Sequence, residues 1–368
     1  MTATNPSGDG ALAARKRRWW RALRVGLYLL FLLGLMEGVL RIGLYVTFES
    51  GEYSCHPNRE LAVMSRYYRA AVATEAEPRP MFAWDPFTGH WPSLRQKDRD
   101  FADARVSTNS EGLRGTQEYP AARPAGQRRI IALGDSFTFG DGVNDDEVWP
   151  AQLASMLPKT DVINLGVSGF GHDQMYFALR ERGQRYGADI VLLLFIDADM
   201  ARNCQDYFCY FKPVARRGEG GFAFQNVPVP HPDDLGEPFS MVVAVAQALY
   251  RDQTTEPCDG QDPQEVTAFI LDELHALCRK MGSELILVTL PDHGVNDASA
   301  SRFLKDYTRQ RHIRLIDQFP AFDKECRAMG RERCEQAFVL PDRHLNGAGN
   351  RLLADGIREA LTGQPRGR

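Results

Sequence analysis

The stretch that decides the fold is Ile130-Ile131-Ala132-Leu133-Gly134-Asp135-Ser136-Phe137-Thr138-Phe139-Gly140. An apolar run stops at a glycine, an acid and a serine, and a second glycine closes the segment. Such a run reads as a buried strand, and the Gly-Asp that ends it as a tight turn. The turn leaves Ser136 standing at the sheet edge, where a nucleophile would sit. Near the other end of the chain, Asp342-Arg343-His344 follows a strand-like apolar run and sets an acid two residues from an imidazole. Serine, base and orienting acid are the three roles that activate a hydroxyl.

Working outward, apolar runs alternate with helical patterns. Strands are expected at Arg129–Leu133, Val162–Leu165, Ile190–Phe195, Leu285–Thr289 and Ile313–Ile316. Helices are expected at Trp149–Leu157, Gln174–Tyr186, Glu265–Met281, Ala298–Arg311 and Gly347–Leu361. This alternation predicts a mostly parallel sheet covered by helices on both faces. Each strand but the last stops in a Gly, Asp or Pro cluster at its C-terminal end, the side on which open α/β sheets hold their ligands.

Residues 200–260 interrupt the pattern. A connection of that length is uncommon without a purpose, and a cap or flap over the active-site edge is expected. Its apolar run, Phe239–Leu249, reads as a buried helix packed into the core, with the wall of an acyl pocket as the alternative.

Upstream, residues 47–128 form a polar lead-in expected to pack on the main domain, 129–361, and residues 362–368 a disordered tail. The lead-in holds an aromatic and turn-rich segment, Met81–Trp91, and a strand-and-turn segment around Asn109-Ser110-Glu111-Gly112-Leu113-Arg114. Residues 1–24 are a basic tail, with Arg15-Lys16-Arg17-Arg18, Arg21 and Arg24. Residues 25–46 are apolar and, as a helix, long enough to cross a hydrocarbon core of roughly 30 Å.

Basic residues bunched before this span place the tail in the cytoplasm and the rest of the chain outside it. Trp19 and Trp20 fall where interfacial aromatics are expected. Glu37 and Arg41 interrupt the span at i,i+4, the favourable order for an ion pair. No small-x-small cleavage pattern follows the apolar core cleanly, so an uncleaved single-pass anchor is expected rather than a signal peptide. The formal net charge of −4 gives no general case for nucleic-acid binding.

Seven cysteines in a chain mostly outside the cytoplasm permit disulfides. Cys204 with Cys209, and Cys326 with Cys334, would each close a small loop. Cys55 and Cys258 have no fixed partner by spacing, and Cys278, in a helical apolar pattern, is expected to stay free. Nothing has the spacing of a zinc knuckle. Asp197, Asp199 and His293 form no established ligand set, so no metal is expected. Gly134 to Gly140 matches neither a dinucleotide fingerprint nor a phosphate-binding loop, so no cofactor is expected.

Four blocks stand in order at the strand ends: Gly134-Asp135-Ser136, Asn164-Leu165-Gly166-Val167-Ser168-Gly169, Asp197-Ala198-Asp199 and Asp342-Arg343-His344. With these the chain resembles a membrane-anchored member of the SGNH/GDSL hydrolase superfamily. The similarity is concentrated in residues 130–200 and 284–355, and Asn109–Arg114 resembles an element often found upstream in anchored members. The resemblance implies a flavodoxin-like three-layer α/β/α sandwich. It implies Ser136 as nucleophile, His344 as base and Asp342 as the acid that orients it. The backbone amides of Ser136 and Gly169, with an asparagine side chain from the third block, would form the oxyanion hole.

The third block departs from this pattern, because Ala198 stands where the family has asparagine. Asn203 is the candidate replacement donor, another residue of the 200–260 insertion being the alternative. The implied activity is ester hydrolysis (esterase or deacylase) through a seryl-acyl intermediate, on an ester-bearing small molecule, lipid or glycan. An O-acyltransferase acting on cell-envelope glycans is the alternative enzyme. A weak or inactive carbohydrate- or lipid-binding module is the alternative from a different class. Taken singly, Ser136 and His344 read as turn or capping residues, and Asp135 as a structural acceptor.

Overall fold

Five runs of aliphatic residues pair edge to edge as parallel strands: β1 (Arg128–Leu133), β2 (Thr160–Asn164), β3 (Ile190–Phe195), β4 (Glu284–Thr289) and β5 (Arg314–Asp317). Their spatial order is β5-β4-β3-β1-β2. The chain starts in the middle, steps to one side with β2, then returns to add β3, β4 and β5 on the other. This is the doubly wound order in which ligands gather beyond the C-terminal ends of β1 and β3, where the direction of winding switches. Each strand begins or ends within two residues of its expected bounds.

The coordinates come from a computed structural model and describe residues 7–49, 80–231, 234, 239–254, 257–290 and 298–364. His293, Cys55 and most of the lead-in before residue 80 lie outside the described residues. The chain divides into two compact units, one of Met1–Ala76 with Leu235–Thr254, the other of Glu77–Asp234 with Thr255–Arg368.

In the second unit the side-chain alternation of the strands builds two cores. Ile131, Leu133, Val191, Leu193, Leu285 and Leu287 point to one face, against Met175, Phe177, Ile270 and Leu274 of the helices His172–Ala178 and Pro263–Met281. Ile130, Ala132, Leu192, Leu194, Ile286 and Val288 point to the other, against Trp149, Leu153, Leu353 and Ile357 of the helices Trp149–Met156 and Gly347–Thr362. The result is a three-layer α/β/α sandwich. Each fully buried aliphatic side chain contributes roughly 1.5–3 kcal/mol to holding it.

The helix expected over Gln174–Tyr186 is three pieces. An α-helix over His172–Ala178 widens into a π turn, Leu179–Gly183, and tightens into a 3₁₀ turn, Gln184–Tyr186. Gly187, in the left-handed conformation at φ 56°, ends it.

The lead-in forms two hairpins in this unit, Phe82–Asp85 with Gly89–Pro92 and Arg99–Phe101 with Ala104–Val106. The insertion contributes a short helix, Ala198–Arg202, and two more hairpins, Tyr207–Phe208 with Tyr210–Phe211 and Val214–Gly218 with Gly221–Gln225. Phe222 and Phe224 of the last hairpin stack near Phe269, on the Pro263–Met281 helix.

Cysteine pairing corrects one expectation. Cys204 is joined to Cys258, not to Cys209, which is itself disulfide-bonded. The Cys204–Cys258 bridge therefore ties together the two ends of the insertion. Cys326–Cys334 forms as expected, and Cys278 is free and buried.

The first unit holds a helix over Ser7–Glu49, of which Ala14–Gly43 is long and apolar enough to cross a membrane. Glu37 and Arg41 pair on it, the Arg41 Nε lying 2.7 Å from Glu37 Oε1. Its companion is the helix Met241–Thr254. The Phe239–Leu249 run is thus not a core helix of the sheet domain. Phe239, Val243 and Leu249 are exposed, while Met241 and Ala244 are buried, beside Leu40.

Candidate active site

Strand β1 is wholly buried from Arg129 onward and ends at Gly134. A Cβ on Gly134 would lie 2.1 Å from Thr138 Oγ1, so only glycine lets the chain fold back this tightly. Asp135 then caps a single helical turn, Ser136–Phe139, by accepting the Phe137 N–H at 3.0 Å. Ser136 becomes the first residue of that turn, at the C-terminal end of the sheet.

The lead-in braces this turn from behind. Asn109 Oδ1 accepts from the amides of Glu111 and Leu113, shaping the loop that delivers Arg114. The buried Arg114 guanidinium donates to the carbonyls of Phe139, Gly140 and Val143 and to Asp145. It thereby satisfies carbonyls at the end of the turn that have no partner in the helix itself.

Asp342 and His344 arrive on a second tight loop. Leu340 N donates to His344 O at 2.7 Å and Arg343 N to Leu340 O at 2.9 Å, with Arg343 in the left-handed region at φ 74°. This curl turns both side chains the same way. Asp342 Oδ2 lies 2.9 Å from His344 Nδ1, and Oδ1 accepts the His344 backbone N–H at 3.1 Å. His344 Nε2 lies 2.8 Å from Ser136 Oγ.

The charges fit these contacts. Partial burial raises Asp342, but the hydrogen bonds from the His344 ring and amide outweigh it and hold the carboxyl below the usual range. An ionised Asp342 accepts from Nδ1–H, which leaves the Nε2 lone pair facing the serine hydroxyl.

The loop after β2 supplies the facing wall. Asn164 Nδ2 donates to Thr138 O at 2.7 Å, and Val167 N to Gly134 O at 3.2 Å, so this loop lies against the serine turn. Gly169 holds φ 80°, and a Cβ there would touch the Phe208 ring at 3.5 Å. Neither Ser136 N nor Gly169 N has a protein acceptor among the described residues.

Two residues that sequence reasoning did not single out hold these loops together. Arg202 Nη1 lies 3.1 Å from Asp135 Oδ2, 3.1 Å from Phe170 O and 2.6 Å from Asp199 Oδ1. It joins the loop bearing Ser136 to the loop bearing Gly169, and Phe208 lies against its guanidinium. The only local hint was the i,i+3 spacing from Asp199. Asp141 accepts from the Ser168 hydroxyl. Desolvation pushes Asp141 up to about 6, while His344, the Ser168 bond and Arg114 pull it down.

Asn203 does not serve as the expected oxyanion donor. It is fully buried; its Oδ1 accepts the His172 N–H, and its Nδ2 donates to His172 Nδ1 at 3.0 Å and Thr267 Oγ1 at 2.9 Å. Both amide hydrogens are spent inside the core. Burial lowers His172 to about 3, so its ring stays neutral. Lys212, within the insertion, is buried on Asp173 and the carbonyls of Arg202, Gln205 and Pro213, which anchors the Phe208 hairpin to the sheet domain. No group of His, Cys, Asp and Glu suited to a metal ion occurs among the described residues.

No protein-family model matches the chain, and no curated protein does. Among solved structures, the chain is similar to an alpha/beta hydrolase enzyme from the metagenome of Lake Arreo, at 16% identity and a TM-score of 0.42, over 65% of this chain and 97% of that one. It is similar to a member of the lipolytic protein G-D-S-L family from Veillonella parvula, at 16% identity and a TM-score of 0.40, over 64% and 97%. An acetyl xylan esterase from Geobacillus stearothermophilus is similar at 16% identity and a TM-score of 0.41, over 66% and 97%.

Proposed function

We propose that the chain is a serine-dependent ester hydrolase whose sheet domain lies outside the cytoplasm, held to the membrane by its N-terminal helix. The observation that carries this reading is the hydrogen-bonded series from Asp342 through His344 to Ser136. In the reaction Ser136 Oγ attacks an acyl carbonyl carbon as His344 Nε2 takes its proton, and the ionised Asp342 stabilises the resulting imidazolium. The negative charge that forms on the carbonyl oxygen is met by the amides of Ser136 and Gly169. Fixed backbone donors need no reorganisation at that moment, and one such donor is worth about 3 kcal/mol.

Collapse of the tetrahedral species breaks the ester C–O bond, and the leaving alcohol takes the proton from His344. Water then attacks the acyl-serine, giving its proton to His344, and the acid is released as Ser136 is regenerated. With Ala198 in the third block and Asn203 turned inward, two backbone donors form the hole, and Arg202 keeps the loops that carry them at fixed separation.

The test is a fluorophosphonate probe on the full-length protein in detergent, alongside hydrolysis of a short-chain aryl ester. Labelling and turnover by the parent, both abolished in a folded Ser136→Ala variant, are the expected result. Labelling that persists in Ser136→Ala, or a parent that is folded and inert to both, would overturn the assignment.

A further inference from the structure

The helix Met241–Thr254 opens with Met-Val-Val-Ala-Val-Ala-Gln-Ala-Leu-Tyr, in which Gln247 is the one polar residue among the first ten. A core helix of this composition would be buried all round. Here Phe239, Val243, Leu249 and Tyr250 are 101%, 53%, 59% and 69% exposed, as exposed as Leu30, Phe31 and Val39 on the membrane-crossing helix at 66%, 65% and 60%. Met241 and Ala244 pack with Leu40 and Val245, so one face leans on the spanning helix while Phe239, Val243 and Leu249 stay exposed.

The start of this helix is satisfied without water. Glu37 reaches across from the spanning helix, taking the Met241 N–H on Oε1 at 2.9 Å and the Val242 N–H on Oε2 at 3.1 Å. Ser240 Oγ donates to Glu37 Oε2 at 2.9 Å and faces Val243 N at 3.4 Å, and Ser240 O accepts from Ala244 N at 3.0 Å. Every N–H of the first turn is thus accounted for by protein. In water such groups can fall to solvent or to a side-chain cap, whereas in hydrocarbon each unmet group costs several kcal/mol. Arg41 neutralises the charge of Glu37, as an intramembrane carboxylate requires.

We infer that Met241–Thr254 is a second membrane-embedded element, its exposed face covered by lipid acyl chains, with Glu37 as its N-terminal cap. This rests on the reading of the Ser7–Glu49 helix as a membrane span, whose lipid-facing surface it continues. The ten residues Met241–Tyr250, polar only at Gln247 and the Tyr250 hydroxyl, rise about 15 Å, half of a hydrocarbon core of roughly 30 Å. Tyr250 and Arg251 close the run with the residue types that favour the headgroup boundary. The sheet domain is then joined to the bilayer by chain on both sides of residues 77–234. Glu37 and Arg41, anomalous in a simple anchor, acquire a purpose.

The experiment uses the full chain in lipid nanodiscs, one protein per disc, with single bimane labels at Val243→Cys or Leu249→Cys. Leu30→Cys reports the spanning helix and Arg217→Cys the aqueous domain. Burial pushes the Cys278 thiol up to about 12, which keeps it out of the labelling reaction. Labels at 243 and 249 should be quenched by acyl-chain nitroxide lipids to within about twofold of the label at 30, and protected from aqueous iodide, with the label at 217 behaving oppositely. Glu37→Ala should raise iodide access at 249 at least threefold, and Glu37→Gln less.

Iodide quenching at 243 and 249 with the label at 30 still in lipid would overturn the second element alone. Iodide quenching at 30 as well would overturn the span beneath it. Quenching of 243 and 249 by neither agent would mean a protein partner covers the face, which also overturns the inference. Iodide access at 249 unmoved by Glu37→Ala would remove Glu37 as the cap.

Discussion

His344 and Ser136 stand 208 residues apart in the chain, yet Nε2 of one lies 2.8 Å from Oγ of the other. Two turns create that meeting, one closing β1 and one preceding the last helix, and both belong to the C-terminal edge of the sheet. Because Asp342 meets both the ring and the backbone N–H of the same histidine, it orients the imidazole and favours the tautomer that carries its proton on Nδ1.

That grip makes Asp342→Asn the most informative single change. An amide cannot hold Nδ1–H against the alternative tautomer as a carboxylate does. Aryl-ester kcat/KM should fall by about a thousand-fold or more. The Asp342 side chain is 55% exposed, so the melting temperature should stay close to that of the parent. A variant retaining activity within tenfold would mean that the Asp342 contact is ornamental to the chemistry.

Arg202 tests whether the two loops must be held together. Arg202→Lys keeps a charge but loses the guanidinium plane that lies over Phe208 and displaces the single nitrogen, Nη1, that now meets Asp135, Phe170 O and Asp199. Slippage of the Gly169 loop by even ~1 Å would cost on the order of a hundredfold. The loss should fall on kcat, with KM within about threefold, since the donors matter most when the oxyanion forms. A loss confined to KM, or tracking a fall in melting temperature, would leave Arg202 with a structural role only.

The parts of this arrangement that were legible in the sequence are the local ones. A strand that stops at Gly-Asp-Ser and a loop reading Asp-Arg-His each declare their geometry within a few residues. The three layers follow from period-two alternation against helical spacing. Asn203 was illegible because its partners, His172 and Thr267, lie 31 and 64 residues away; nothing nearby says that both amide hydrogens are already committed. Cys204 misled in the same way, with Cys209 close in sequence and Cys258 close in space. Phe239–Leu249 was misread for a different reason. An apolar helix records that it avoids water, and its residues do not say whether the core of the sheet domain or something outside it provides the shelter.

Asp141 gives a prediction in pH. Its carboxyl ionises near 6 in the fold against an ordinary 3.8, so the native state binds the proton more tightly than the unfolded chain. The associated stability is fully present below about 3.8 and is lost as pH rises through about 6. Between pH 4.5 and 7 the loss amounts to up to about 2 kcal/mol. Asp141→Asn keeps an acceptor for the Ser168 hydroxyl and cannot ionise. Thermal unfolding across that interval should therefore decline less in the variant than in the parent, and the variant should be the more stable protein at pH 7. Asp173, which burial also raises, contributes equally to both and cancels in the comparison. Parallel pH profiles for the two proteins would show that Asp141 is ionised throughout, and would place a full negative charge beside His344 over the whole range.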